Sequence, residues 1–314
     1  MRFASQVRWL SAAKDGEKPQ TLGAIAAISA YLVWGLLPLY WKRFDLVPPG
    51  QVLDHRILWS AILTIIWLAA GRKMGLAVAV VRDLRRLGFV TLTALLLASN
   101  WYVYIWAIQV DRVLETSLGY FITPLVNVAL GTLFLRERLR FWQWVAVAIA
   151  CLGVANECLH VKSVPWVALS LALTFSVYGL LKKISHIAPV TALAVEMSIL
   201  CPFALGHLAY AHIQGTGAFR SDPTMDTMLV LTGAATALPL VWFSYGARRL
   251  KFSTLGLFQY LSPSCQFVLA TVVFQESLSL VQLITFASIW TALLIFVADG
   301  RRQPAPEAPK GTSS

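Results

Sequence analysis

Apolar residues run through this chain in blocks about twenty residues long, separated by short polar segments that hold most of its lysines and arginines. The blocks fall near 22–41, 51–70, 87–109, 113–135, 142–158, 164–181, 188–209, 226–246, 254–274 and 280–298. Each approaches the roughly 20 residues that a helix needs to cross a bilayer at about 1.5 Å per residue. The fifth and sixth are short. The run Gly75–Val81 is too brief to cross and reads as an interfacial turn of helix. The fold class expected is therefore an all-α integral membrane protein of about ten transmembrane helices.

Composition strengthens that reading. The chain has 314 residues, 58% hydrophobic and 13% charged, against roughly 25% charged in ordinary soluble domains. Twelve tryptophans suit interfacial anchoring or an apolar cavity wall. A net charge of +11 would suggest nucleic acid in a soluble protein, but here the basic residues sit between apolar blocks, so no nucleic-acid partner is expected. With a cytosolic N-terminus, 20 of the 26 Lys and Arg residues fall on the cytosolic side. That bias agrees with the positive-inside rule and requires an even number of spans, with both termini cytosolic. Residues 1–21 and 299–314 read as tails, the second disordered. Cys151, Cys158, Cys201 and Cys265 form no CxxC pair and no metal set with histidine, so packing thiols are expected and no metal.

The chain also repeats itself. Pro124, Glu137 and Gln143 follow the spacing P-x12-E-x5-Q, and Pro263, Glu276 and Gln282 follow it again. Ser117-Leu118-Gly119 and Thr254-Leu255-Gly256 precede the two prolines, with a two-residue shift between them. Trp34-Gly35-Leu36-Leu37 matches Tyr178-Gly179-Leu180-Leu181. Two five-helix halves, 22–158 and 164–298, must have opposite orientation because five is odd. In transporters built on that plan, the substrate site lies near the midplane between the halves.

Paired P-x12-E motifs on a five-plus-five plan resemble the EamA branch of the drug/metabolite transporter superfamily. More narrowly, His55-Arg56-x-x-Trp59-Ser60, Asn100-Trp101, Ser117-Leu118-Gly119-Tyr120-Phe121 with Pro124-Leu125, Glu137-Arg138 and Gln259-Tyr260 resemble the RarD-type permeases, named for chloramphenicol sensitivity. The resemblance covers about 22–298. It implies a bacterial inner-membrane permease for small organic metabolites or drugs, with export as the direction. The pattern departs at Arg136, where a small residue before the glutamate is more usual, and from Gly300 onward.

Several residues are candidates for that chemistry. Glu196 stands about nine residues into the seventh span, where a charge costs at least about 2.5 kcal/mol and must face protein or a wet cavity. Proton coupling, a substrate amine, or an ion pair with another helix (Arg56 among the choices) would each account for it. His55 and Arg56 open the second span near the outer face. His55 is the second proton-coupling candidate, while Arg56 is suited either to attracting anions at a cavity mouth or to snorkelling. The face Ser117, Tyr120, Pro124, Asn127, Gly131 and its mirror Gly256, Gln259, Pro263, Gln266, Ala270 are too polar and small for lipid. Tyr120, Asn127 and Gln259 from these faces, with the adjacent Tyr260, are taken as cavity candidates, and Pro124 and Pro263 as helix-loosening positions. Asn100, Trp101 and Tyr104, with Trp34, Tyr178 and Trp242, are aromatic or polar wall candidates. Trp41 and Trp142 are assigned to interfacial anchoring, Glu137 and Glu276 to bracing of helix ends, and Lys182 and Lys183 to the cytosolic boundary.

No G-x-x-x-x-G-K-[ST], H-E-x-x-H or G-x-S-x-G sequence occurs, and the five histidines are scattered. A secondary transporter that works by alternating access is expected, rather than an enzyme, with no cofactor. Its partners are expected to be a small organic solute, membrane lipid and protons as the candidate coupling ion. Monomer and homodimer are both left open. The competing reading is a membrane-embedded receptor or assembly subunit that binds a ligand without moving it.

Overall fold

The computed structural model describes residues 18–110, 112–159, 165–219, 222–273, 275 and 279–301. Glu276 and most of the two expected tails lie outside these residues. The described chain forms α1 (Lys18–Trp41), α2 (Pro49–Ala70), a short α3 (Met74–Arg82), α4 (Leu84–Gln109), α5 (Val113–Leu133), α6 (Phe141–Cys158), α7 (Trp166–Ile184), α8 (Pro189–Ile213), α9 (Pro223–Ala247), α10 (Phe252–Phe258), α11 (Leu261–Val268) and α12 (Leu280–Arg301). A 3-10 turn at Lys42–Phe44 follows α1, and a π turn at Leu269–Val273 follows α11.

Among the described residues, nine helices are long and apolar enough to cross a membrane. The block read as the ninth span is different. It is divided into α10, α11 and the π turn, with a break at Gln259–Tyr260. Pro263 lacks an N–H and cannot donate back to Gln259, so the chain tightens there, with Ser262 N–H donating to the Gln259 carbonyl at 3.0 Å. Pro124, the matching proline, behaves otherwise: α5 runs through it unbroken, and only Pro263 loosens its helix. Two expected boundaries also move. Helix α1 starts at Lys18, inside the segment read as a tail, with Pro19 in its first turn where a missing N–H costs nothing. Helix α12 extends to Arg301 because Arg140 holds Asp299 through its carboxylate at 2.6 Å and its carbonyl at 2.7 Å.

That Arg140–Asp299 contact ties the start of α6 to the last turn of α12. Glu137, just ahead of α6, reaches Ser253, and Arg249 stands against Gly23 of α1, so these ends share the end of the bundle where α1 begins. We call this end the base. The helices pack in reciprocal pairs. Helix α1 packs on α9 as α4 packs on α7, α1 on α11 as α5 on α7, and α2 on α9 as α4 on α8. Helices α2 and α8, α5 and α10, and α6 and α12 pack on one another.

Glycines at the crossings make these approaches close. A Cβ on Gly35 would stand 2.6 Å from Cys265 Cβ, and one on Gly256 would stand 2.8 Å from the Pro124 carbonyl. The repeated glutamine has a local explanation: Gln143 Oε1 accepts the Arg140 N–H and Gln282 Oε1 accepts the Ser279 N–H, each at 3.0 Å. Each glutamine therefore closes the first turn of the last long helix in its half.

Candidate functional site

A cavity of about 250 Å³ lies inside the bundle, toward the end away from the base. Its walls come from α1, α2, α4 and α5 on one side and α7, α9, the α10–α11 break and α11 on the other. Trp34, Trp41, Trp101, Tyr104 and Tyr120 supply flat apolar surface, while Asn100, Ser117, Gln259 and Gln266 supply polar groups. The volume is just under the roughly 300–1,000 Å³ of pockets that enclose drug-sized ligands. It suits a small solute.

Arg56 is the one charged side chain among the described residues of this wall. Its Nε donates to Thr236 Oγ1 on α9 at 3.0 Å. Its guanidinium carbon sits 5.0 Å from the Trp41 ring and 4.8 Å from the Trp101 ring, held between two aromatic faces. Among the described residues no carboxylate forms an ion pair with it. Each cation–π contact returns about 0.5–2 kcal/mol, which partly offsets the cost of a charge at membrane depth. The positive charge is preserved and aimed at the cavity.

Toward the base the cavity ends on packed rings. Trp34 lies 5.7 Å from Phe175 and 5.7 Å from Phe243, and Phe243 stacks on Tyr178 at 6.3 Å and 12°. Gly179 makes room for this plug, since a Cβ there would meet Phe243 at 3.0 Å and Phe252 at 3.2 Å. Beyond the plug lies an ion pair that is fully enclosed. Lys182 Nζ donates to Glu196 Oε1 at 2.5 Å, Thr93 Oγ1 donates to the same oxygen at 2.5 Å, and the lysine stands 5.2 Å over the Tyr178 ring. Lys182 is 3% exposed and Glu196 0%. The Tyr178 hydroxyl and Glu196 Oε2 have no hydrogen-bond partner of good geometry among the described residues.

At the base itself, Glu137 Oε1 accepts the Phe252 N–H at 2.6 Å, and its Oε2 accepts the Ser253 N–H at 2.9 Å and hydroxyl at 2.7 Å. Lys183 donates to the carbonyls of Ala247 and Leu250 nearby. The first half thereby grips the start of α10 in the second.

Of the candidates chosen from sequence, Trp34, Arg56, Asn100, Trp101, Tyr104, Tyr120 and Gln259 meet at the cavity. Others do not. His55, next to Arg56, is turned about 100° around the helix; it is 3% exposed, packs against Phe219 at 5.2 Å and accepts a hydrogen bond from Trp59 at its Nδ1. Asn127 is buried at the α5–α10 crossing, where its Nδ2 donates to Gln259 Oε1 at 2.9 Å. Tyr260 is enclosed, with its hydroxyl donating to the Phe121 carbonyl at 3.2 Å. Tyr178 belongs to the plug and Trp242 packs on the core beside it.

Glu196 also lies outside the cavity, with Lys182 as its partner and not Arg56. Lys182, in the last turn of α7, is enclosed in the protein rather than exposed at the helix end, one turn beyond Tyr178 on the same face. That i, i+4 relation to a candidate wall residue was the signal for it. Trp41 was assigned to anchoring yet lines the cavity, and its seven-residue spacing from Trp34 puts both on one face of α1.

A multi-pass helical bundle that encloses a solute-sized cavity, plugged at one end, is the architecture of a membrane transporter. The chain belongs to the EamA-like transporter family, in its RarD-type branch. The profile of the EamA-like transporter family matches residues 21–156. An uncharacterized transporter of Vibrio cholerae is 43% identical over 283 residues, which cover 88% of this chain and 92% of that one. Protein RarD of Escherichia coli is 36% identical over 278 residues, 88% and 94% of the two chains. The chloramphenicol-sensitive protein RarD of Pseudomonas aeruginosa is 30% identical over 293 residues, 92% and 98%. A solved crystal structure that shares 20% identity superposes with a TM-score of 0.70, covering 90% of this chain and 100% of the other. At that identity the likeness speaks to the fold alone.

Proposed function

We propose that the chain moves a small organic solute across the bacterial inner membrane by alternating access, with two inverted halves, 22–158 and 164–298, rearranging around the cavity. The observation that carries this reading is the cavity's composition: both halves build its wall, and packed rings plus an enclosed ion pair close it on one side only. The reciprocal helix pairs are the packing that two inverted repeats produce. Most of the basic residues among the described ones group toward the base, which favours a cytosolic base and cytosolic termini. On that orientation the cavity faces outward.

Export is the direction the family resemblance implies, and Glu196 is the proposed site of proton coupling. Its second carboxylate oxygen, which has no hydrogen-bond partner of good geometry among the described residues, is where a proton would be received, and that would release Lys182 and loosen the plug. His55 packs against Phe219 and takes no part in the plug, so coupling is assigned to Glu196 alone. The test is counterflow of a metabolite panel in proteoliposomes under an imposed pH gradient, for wild type and Glu196→Gln. Flux that loses its response to the gradient in the variant supports the proposal. Absence of flux across a broad panel, from folded protein, would overturn transport, and an unchanged gradient response would overturn the role of Glu196.

A further inference from the structure

We propose that the solute is an organic monoanion, a carboxylate carried on a flat apolar body, with Arg56 as its anchor. The inference rests on the cavity being the transport site and adds the class of solute it takes.

Three features of the wall lead there. The first is the charge balance. The described wall holds one cation and no carboxylate, so a neutral solute would leave the guanidinium uncompensated, and a cationic one would add to its charge. A single carboxylate completes it. The second is presentation. Nε is tied to Thr236 Oγ1, and the rings of Trp41 and Trp101 hold the guanidinium carbon at 5.0 and 4.8 Å. With one edge of the group occupied, the terminal nitrogens are left as a fork, the shape that matches two carboxylate oxygens. A side chain merely snorkelling to water would not be fixed on three sides. The third is the surface beyond the anion. Trp34, Trp101, Tyr104 and Tyr120 offer broad faces within a volume of about 250 Å³, which suits a ring-sized apolar body.

The same census separates monoanions from zwitterions. An amino acid brings an ammonium as well as a carboxylate, and the described wall provides no acidic partner for it. The sealed Glu196 is occupied by Lys182 on the far side of the plug.

The experiment is calorimetric titration of the purified full chain in detergent with 3-phenylpropanoate, its amide, 3-phenylpropylamine and phenylalanine. In wild type the carboxylate should bind roughly 10- to 100-fold more tightly than the amide, the range of a charged hydrogen-bonded pair. The amine and phenylalanine should bind more weakly than the carboxylate. Arg56→Gln should bring carboxylate and amide level, whereas Arg56→Lys should keep the preference while lowering affinity, because an ammonium is not a fork. Thr236→Val gives a second variant that leaves the charge in place and frees its edge, and it should weaken the carboxylate alone.

Equal binding of acid and amide by wild type, a preference that survives Arg56→Gln, or a wild type that binds none of the four would overturn the proposal. Phenylalanine binding as tightly as 3-phenylpropanoate would overturn its restriction to monoanions. Counterflow, measured separately, tells the two readings apart. Carboxylate binding without flux keeps the anchor and removes transport, while flux of neutral solutes without carboxylate binding does the reverse.

Discussion

Arg56 and Glu196 occupy matching places in the two halves, and the protein treats them in opposite ways. Each stands seven residues after the proline that opens its helix, Pro49 for α2 and Pro189 for α8. Each reaches a threonine across the interface: Arg56 bonds Thr236 on α9, and Glu196 accepts from Thr93 on α4. Around Arg56 the helices stand apart and leave a cavity; around Glu196 they close, and a lysine one helix away neutralises the charge. A buried charge with a partner and a charge that lines a cavity obey different energetics. The first must be paired because water cannot reach it. The second is tolerable because the cavity admits water or a solute. The comparison teaches that pseudo-equivalent positions share geometry but not environment, and the environment decides which one meets the solute.

The largest predicted effect breaks this comparison directly. Lys182→Met leaves the Glu196 carboxylate enclosed without its ion, which should cost about 3–5 kcal/mol. Arg56→Gln removes a charge that has no ionic partner, so its cost to stability should be under about 1 kcal/mol, and binding should suffer instead. Thermal unfolding in one detergent, with both variants in parallel, measures the difference. The double variant Lys182→Met/Glu196→Leu should recover most of the loss, since an apolar pair of similar volume often replaces a buried ion pair without cost. Equal destabilisation by Lys182→Met and Arg56→Gln would mean that both charges are structural and the distinction fails.

The part of this architecture readable from sequence follows from what a periodic signal can carry. Hydropathy located the helices, because lipid imposes the same demand on every span. The P-x12-E-x5-Q repeat located the turns, because Gln143 and Gln282 each cap a helix and Glu137 clamps the start of α10. Trp34, Arg56, Asn100, Trp101, Tyr104, Tyr120 and Gln259 were identified as wall candidates by polarity or aromatic character, and the structure gathers them around one cavity. Pairings across helices were not readable. Glu196 was conspicuous, but its partner depended on how α7 and α8 rotate against each other, and the lysine pair at the end of α7 looked like a boundary marker. The two prolines read alike, yet α5 is continuous and its counterpart is broken, because the outcome depends on what packs beside each.

An intermediate effect is expected at the base, where the comparison depends on the two halves being fastened together. Glu137 is 9% exposed and accepts two backbone N–H groups and one hydroxyl at the start of α10. Glu137→Gln keeps one acceptor and turns an amide N–H toward a backbone N–H, which should cost about 1.5–3 kcal/mol by the scale for hydrogen bonds to charged groups. Hydrogen exchange should rise at Phe252 and Ser253 before it rises in α5. Faster exchange spread evenly over both halves would indicate general loosening and not a local clamp.

The smallest effect sharpens the comparison of the halves at the residue level. Arg136 and Gln275, each placed one residue before the repeated glutamate, have φ of 54° and 53°. A left-handed backbone costs a side-chain-bearing residue about 1–2 kcal/mol, and glycine escapes that cost. Glycine also gives the unfolded chain more freedom, which returns roughly 0.5–1 kcal/mol of the gain. Arg136→Gly should therefore raise stability by a few tenths to about 1 kcal/mol, and Gln275→Gly should match it within error if the two turns are equivalent. Arg136→Ala supplies the control, since it removes the same side chain without relieving the backbone and should give no gain. A rise with alanine as large as with glycine would assign the effect to the lost arginine charge. The turn would then be no evidence that the two halves share a backbone plan.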